Sequence, residues 1–155
     1  MSKRLENLNN IVGILNAGAK FYRNAARQVS TPELEQIFLE HAELREEVAR
    51  DISRTIDDAG GEPADAAPIE QVRAAAAQVG TAFNEPSRAL VDSLEQHEDR
   101  TLEAFRQAIH HKDNYRDETA LREYMQRFEA SHERMRALKH SKNPKAAAAE
   151  VQKSD

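Results

Sequence analysis

The feature that most constrains the fold of this chain is an apolar stripe that returns in four separate segments. In the first segment, apolar side chains recur at alternating steps of three and four residues. This spacing places them on one face of an α-helix, because such a helix has about 3.6 residues per turn. The pattern predicts a helix over residues 3–28. Its stripe consists of Leu5, Leu8, Val12, Leu15, Ala19, Tyr22 and Ala26.

Three further segments repeat this spacing and predict helices over 32–59, 86–111 and 115–140. Four helices of similar length, each with one narrow apolar face, bury those faces most economically against one another. We therefore expect a single all-α domain, a four-helix bundle spanning residues 1–140. The three stripes are Leu34, Ile37, His41, Leu44, Val48, Ile52 and Ile56; Val91, Leu94, Glu98, Leu102, Phe105 and Ile109; and Leu121, Met125, Phe128, His132, Met135 and Leu138.

Residues at the predicted helix ends favour these boundaries. Thr31 is expected to cap the second helix, and Pro32 fits its first turn. Gly60 is expected to end that helix, because glycine readily adopts the left-handed conformation found after helix C-termini. Asn114 is expected to cap the fourth helix.

The connection between the second and third helices is unusually long, at about 25 residues. It contains an alanine-rich stretch that predicts a short helix over 69–83. Such a connection suits a ferritin-like bundle, in which a crossover runs the length of the bundle and leaves the two helices parallel. The alternative is that the short helix packs across one end. The last segment, 141–155, has no apolar stripe and is predicted to be a disordered or frayed tail.

Charge and composition narrow the classes of function. The formal net charge is −5 at pH 7, so neither a nucleic acid nor a membrane surface is an expected partner. The chain has no cysteine, which excludes disulfides, thiolate catalysis and cysteine-ligated zinc. Because no long apolar run marks a signal peptide or a membrane-spanning helix, we expect a cytoplasmic protein.

A polar residue interrupts three of the four stripes: His41, Glu98 and His132. If the second and third helices are parallel, these residues lie within about one helical turn of the same level. A buried charge needs a partner, and both Arg45 on the second helix and Tyr22 on the first are close to that level. We therefore predict that these five residues form a buried polar network, which requires no cofactor.

A metal site is the alternative interpretation of the same residues. Glu129 and His132 are three residues apart on a helix, as in the Glu-x-x-His pairs of carboxylate-bridged di-iron sites. With Glu98 and His41 they would bind iron or another divalent metal. The di-iron pattern is incomplete, because the second helix has Phe38 where a glutamate is needed and the first helix has no acidic residue at that height. A mononuclear site and a network without metal both remain open.

Several segments resemble a bacterial ferritin-like family known only as a domain of unknown function. The resemblance covers about residues 5–140 and implies a ferritin-like bundle without an established reaction. The resemblance implies that five residues occupy polar positions characteristic of the family: Arg45, Glu95, Glu98, Asp99 and His132. The similar segments are "LNNIVGILNAGAKFYRNAA", Phe38 with Arg45, "GGEP", "LEQHEDRTLEAFRQAI" and "SHERMRAL".

The chain departs from this family in two places. Asn16 and Ala17 stand where an acidic residue usually precedes the glycine, here Gly18. The short helix is the alanine-rich "VRAAAAQV" rather than the family's segment of His-Arg-Gly-Trp type. The chain therefore resembles a distant member.

The leading functional hypothesis is a non-enzymatic, stress-associated bacterial protein that acts by self-association or by binding a protein partner. The alternative is a metal-binding or di-iron redox protein that uses Glu98, Glu129 and His132. A homodimer surface would use apolar residues outside the stripes, unless these residues contact the short helix instead. The candidates are Ile14, Phe21, Leu39 and Leu90.

Overall fold

The computed structural model describes residues 2–65 and 88–140. Four α-helices and no strand occur within these residues, which confirms the prediction of an all-helical chain and is consistent with a four-helix bundle. The predicted short helix over 69–83 and the predicted tail over 141–155 lie outside them. The helices are α1 (Lys3–Gln28), α2 (Pro32–Asp58), α3 (Arg88–Ile109) and α4 (Glu118–His140), with a 3-10 turn at Lys112–Asn114 between the last two.

The directions of the helices follow from contacts near the two ends of α1. Near its C-terminal end, Tyr22 bonds to Glu98 in the first half of α3. Near its N-terminal end, Arg4 pairs with Asp117, which lies beyond the end of α3. Consequently α1 is antiparallel to α3. The short connection after α1 also makes it antiparallel to α2, so α2 and α3 run parallel and α3 begins at the opposite end of the bundle from the end of α2.

Helix α2 ends as its glycines predict. Gly60 has φ of 83°, a conformation that side chains disfavour. Its N–H donates to the carbonyl of Asp57, and the N–H of Gly61 donates to that of Ile56, both at 2.9 Å. These two bonds form a Schellman motif, which satisfies carbonyls that the helix itself leaves without donors.

The start of α4 differs from the prediction. The helix begins at Glu118, and the carbonyl of Asp117 accepts the first bond of the helix from Leu121 at 2.9 Å. Asn114 is therefore not the cap. Its side chain instead donates to the carbonyl of Arg4 at 3.2 Å, because the preceding 3-10 turn packs against the first turn of α1.

Two clusters of buried apolar side chains fill the bundle, and a polar layer separates them. The lower cluster lies toward the start of α1 and includes Leu8, Leu15, Val48, Leu102, Phe105 and Phe128. The upper cluster includes Phe21, Ala25, Leu34, Phe38, Ala42 and Leu94.

Two residues suggested for a dimer surface lie inside these clusters. Ile14 and Phe21 are buried, with 8% and 1% of their surfaces exposed, so they do not form an exposed face. Leu39 is partly buried against the upper cluster, and the side chain of Leu90 lies outside the described residues. The burial of Ile14 and Phe21 shows that the apolar face of α1 is wider than a single stripe, and the alternative contact with the short helix lies outside the described residues.

None of the helices that the structure describes combines the length and the apolar character needed to cross a lipid bilayer.

Candidate functional site

The polar layer is built around one carboxylate oxygen, Oε1 of Glu98. The hydroxyl of Tyr22 donates to it at 2.7 Å, and the hydroxyl of Ser131 donates to it at 3.0 Å. Nδ1 of His41 lies 3.2 Å away, and Nη2 of Arg45 lies 2.6 Å away. All four helices therefore contribute to a single oxygen atom.

Electrostatics keep this carboxylate charged although it is fully buried. Burial by itself would raise the pKa of Glu98. The charge of Arg45, together with hydrogen bonds from His41 and Tyr22, outweighs burial and holds that pKa well below its usual range. Burial lowers the pKa of His41 despite its contact with Glu98, so this imidazole is neutral at physiological pH.

Arg45 is held from several sides. Its Nη1 donates to the carbonyl of His41 at 2.9 Å, and its guanidinium carbon lies 4.5 Å from the ring centre of Tyr22 and 5.1 Å from that of Phe128. Its contact with Glu98 is an ion pair without aligned hydrogen-bond geometry. The arginine is 0% exposed, so the aromatic faces and the carboxylate replace its hydration.

Gly18 lets α1 pass close to this arginine. A Cβ atom at Gly18 would lie 3.1 Å from both Cδ and Nε of Arg45. That separation is shorter than an ordinary van der Waals contact between carbon atoms. The absence of a side chain at this position is therefore part of the site.

Ser131 was missed by the sequence analysis. It is 5% exposed, and its Oγ lies 2.5 Å from Nδ1 of His41. A stripe that steps by three from Phe128, rather than by four, would have found it. That step is equally compatible with helical periodicity.

The Ser–His–Glu cluster does not have the geometry of a catalytic triad. In a triad, the nucleophile and the carboxylate bind opposite nitrogen atoms of the histidine. Here Ser131 and Glu98 both approach Nδ1 of His41. The imidazole therefore cannot take a proton from the serine on one side while the carboxylate orients it from the other.

His132 and Glu129 do not join this centre, in contrast to the predicted network and to the predicted metal site. His132 is half-buried, and its Nδ1 lies 3.6 Å from Oδ1 of Asp99, a residue that is 64% exposed. Glu129 is exposed. The rotation of α4 directs Ser131 at Glu98, and the next residue along the chain points about 100° away.

The structure thus brings Tyr22, His41 and Arg45 to Glu98. Among residues 2–65 and 88–140, no group of three His, Asp or Glu side chains is placed to hold a metal ion. Glu95, which the resemblance to the family also places at a characteristic polar position, is half-buried.

Besides Ser131, the sequence analysis missed His97, which is buried and titratable. It is 3% exposed, and its ring stacks on Phe21 with the ring centres 5.0 Å apart. Burial, and then the charges of Arg45 and Arg100, lower its pKa to about 4. A step of three from Leu94 would have placed it on the buried face.

A groove of about 450 Å³ lies between α2 and α4, with His41 and Ser131 in its lining. Its walls carry opposite charges, and Arg127 of α4 pairs with Glu47 of α2 at 3.0 Å. A larger cavity of about 710 Å³ lies at the end of the bundle near Tyr115 and contains no part of the Glu98 centre. We place the candidate site at Glu98, because buried and perturbed titratable groups indicate a site more specifically than size does.

Comparison with curated proteins finds no match to this chain. A family model described as "Domain of unknown function (DUF2383)" matches residues 3–111. The match spans α1, α2 and α3 and ends before α4. The chain therefore belongs to the DUF2383 family.

Proposed function

We propose that this protein is a non-enzymatic helical bundle that acts by binding other protein molecules, and primarily a second copy of itself. In this proposal the Glu98 centre sets the register of the helices and carries out no reaction. The observation that carries the proposal is the convergence of groups from all four helices on one carboxylate oxygen, Oε1 of Glu98. Buried polar groups of this kind are best known for specifying which helices pair and in which register.

The chemistry of the centre argues against a resident metal. A di-iron site needs several carboxylates whose charge is available to the metal. Among the described residues that meet at this centre, Glu98 is the only carboxylate, and Arg45 already balances its charge. Nδ1 of His41 is engaged by Glu98 and Ser131.

A ferritin-like arrangement is part of the proposal. It is supported by the parallel directions of α2 and α3 and by the path of the chain after α2. There the backbone of Glu62 and of Ala64 bonds to the side chain of Asn9, and the carbonyl of Ala64 also accepts from Asn16. The chain therefore turns back along α1 toward the end of the bundle where α3 begins. A bacterial, stress-associated role belongs to the proposal as well and rests on the resemblance of the sequence segments alone.

Metal analysis after iron loading tests the absence of a metal centre. The wild-type protein and a His132→Ala variant are expected to retain much less than one iron per chain. Stoichiometric iron in the wild type that is lost in the variant would sink the proposal. It would instead support a redox protein that uses Glu98, Glu129 and His132.

Sedimentation over a wide range of protein concentrations tests self-association. We expect a dimer whose population rises with concentration. Mass action makes this dependence a direct measure of the dissociation constant. A monomer at every concentration would contradict self-association.

A further inference from the structure

Among the side chains whose burial the structure describes, helix α4 buries fewer than any other of the four helices. Among its side chains whose burial the structure describes, three are buried: Leu121, Phe128 and Ser131. By comparison, α1 buries fourteen residues and α2 buries ten. Because stability within a protein varies with the apolar surface that each element buries, α4 is expected to open at the lowest cost.

The seam between α2 and α4 is the open one. The closest helix pairs are α1 with α2, α3 with α4, and α1 with α3. The groove of about 450 Å³ runs along this seam, and Ser131 and His41 contact each other across it at the Glu98 centre. Arg127 and Glu47 pair across it, but both side chains are about half exposed, so the pair contributes little to holding the seam closed.

The turn before α4 is anchored independently of the helix. Asn7 donates to the side chain of Asn114 at 2.7 Å, and Arg4 binds both carboxylate oxygens of Asp117. The family match ends at residue 111, just before this turn. These bonds involve no side chain of α4, so they would hold the turn on α1 if the helix left its place.

The place that α4 occupies selects a particular kind of occupant. Phe105 of α3 requires an aromatic partner, which Phe128 supplies with the ring centres 5.4 Å apart. Glu98 accepts from the small hydroxyl group of Ser131, and Glu47 of α2 pairs with the cation of Arg127. An α4 helix from a second copy supplies all three groups at the correct spacing.

The closed molecule offers little else for association. Within the described residues, Tyr115 is the only large apolar side chain that is exposed. Association through the apolar surface of the described residues therefore needs a surface that the closed form hides.

We propose that α4 is an exchangeable helix, which leaves its own bundle and packs on α1, α2 and α3 of a second copy, where its Ser131 completes the Glu98 centre. The inference rests on the proposed function and specifies how the two copies associate. Such an exchange makes a dimer at low cost, because the contacts are the same within one chain and between two.

The absence of native cysteine allows a direct test. A Glu47→Cys/Arg127→Cys variant is treated with a short bis-maleimide at a concentration low enough for the chain to be monomeric. The reagent then joins the two thiols within one chain and locks α4 onto its own α2. The matched control is the same variant with both thiols capped by N-ethylmaleimide. Isotope-labelled and unlabelled chains are mixed, and native mass spectrometry measures the dimers of mixed mass.

We expect mixed dimers in the capped form and at least about tenfold fewer in the cross-linked form. Equal dimer in both forms would overturn helix exchange and leave self-association through another surface intact. No dimer in either form would overturn both exchange and self-association.

Two further measurements bear on the same point. Amide hydrogens of α4 are expected to exchange with deuterium at least about tenfold faster than those of α1 and α2, and equal rates would contradict the proposal.

Mixing a Glu47→Arg chain with an Arg127→Glu chain is expected to enrich the heterodimer about two- to fivefold, because only exchange restores opposite charges across the seam. A random distribution of dimers would contradict exchange.

Discussion

At the scale of the residue, the centre of the molecule is a buried ion pair in which the hydrogen bonds to Glu98 converge on one carboxylate oxygen, Oε1. Arg45 and Glu98 are both 0% exposed, so each has lost its hydration. Such a pair is weak evidence for stability, since desolvation offsets much of the attraction between the charges. Replacing both residues and replacing only one of them are therefore expected to change the free energy of unfolding very differently.

The first prediction separates these two cases. Arg45→Met leaves the Glu98 carboxylate buried without its cation, and we expect the free energy of unfolding to fall by about 3–5 kcal/mol. The double variant Arg45→Met/Glu98→Leu removes both charges, and we expect it to recover most of that loss. Urea unfolding of the three proteins measures the difference. A single variant within about 1 kcal/mol of the wild type would show that the pair is not buried as described.

The second prediction concerns pH and His97. Because the pKa of His97 is about 4 in the folded protein, below its ordinary value of 6.5, the unfolded chain binds an additional proton between these values. The contribution of this residue is fully present above about pH 6.5 and is lost as the pH falls toward about 4. One pKa unit corresponds to about 1.4 kcal/mol, so the full loss is about 3 kcal/mol, of which about 2 kcal/mol occurs between about pH 6.5 and about pH 5.

A His97→Gln variant tests this dependence. Its stability should fall less than that of the wild type when urea unfolding at about pH 7 is compared with that at about pH 5. Part of the slope should remain, because the pKa values of His41 and Glu98 are also lowered and act in the same direction. An identical fall in both proteins would show that His97 is not buried in its neutral form.

At the scale of the element, the close approach of α1 to α2 depends on Gly18. Alanine normally stabilises a helix relative to glycine by about 1 kcal/mol. Here its Cβ would lie 3.1 Å from two atoms of Arg45, which cannot retreat because Glu98 holds its guanidinium. We predict that Gly18→Ala lowers the stability by about 1 kcal/mol, since overpacking costs more than helix propensity contributes.

A double-mutant cycle distinguishes this cause from any other. In an Arg45→Met background the side chain still has heavy atoms at these two positions, but Glu98 no longer holds it in place. Because the methionine can move aside, the same Gly18→Ala change is expected to become neutral or stabilising. Thermal unfolding of the four proteins measures the coupling. Equal effects of the alanine in both backgrounds would exclude a clash with Arg45.

At the scale of the whole molecule, Asn114 joins the two halves of the bundle. Its side chain is 0% exposed, accepts from Asn7 at 2.7 Å, and donates to the carbonyl of Arg4 and to Asp117. We predict that Asn114→Ala costs about 2–3 kcal/mol, because it leaves buried donors and acceptors without partners. The exposed neighbour Lys112 provides the control, and Lys112→Ala should change the stability by less than about 0.5 kcal/mol. Equal effects in urea unfolding would show that the turn is not fastened to α1.

The sequence by itself determined the helices, because helix formation depends on a pattern that is local to each segment. Predicted and observed ends coincide for α1 and differ by one residue for α2. The start of α4 moved from 115 to Glu118, because the turn before it bonds to α1, more than a hundred residues away in the chain. A local pattern contains no information about such a contact.

The composition of the centre was decided only by the tertiary structure. His41 and Glu98 were found from the sequence, because an imidazole or a charge within an apolar stripe indicates a buried partner. Arg45 was found because it lies one helical turn from His41 and could supply that partner. The choice of Ser131 over His132, and the burial of His97, depend on how far each helix is rotated about its axis. That rotation is set by the packing of all the helices together, since one residue along a helix turns the side chain by about 100°.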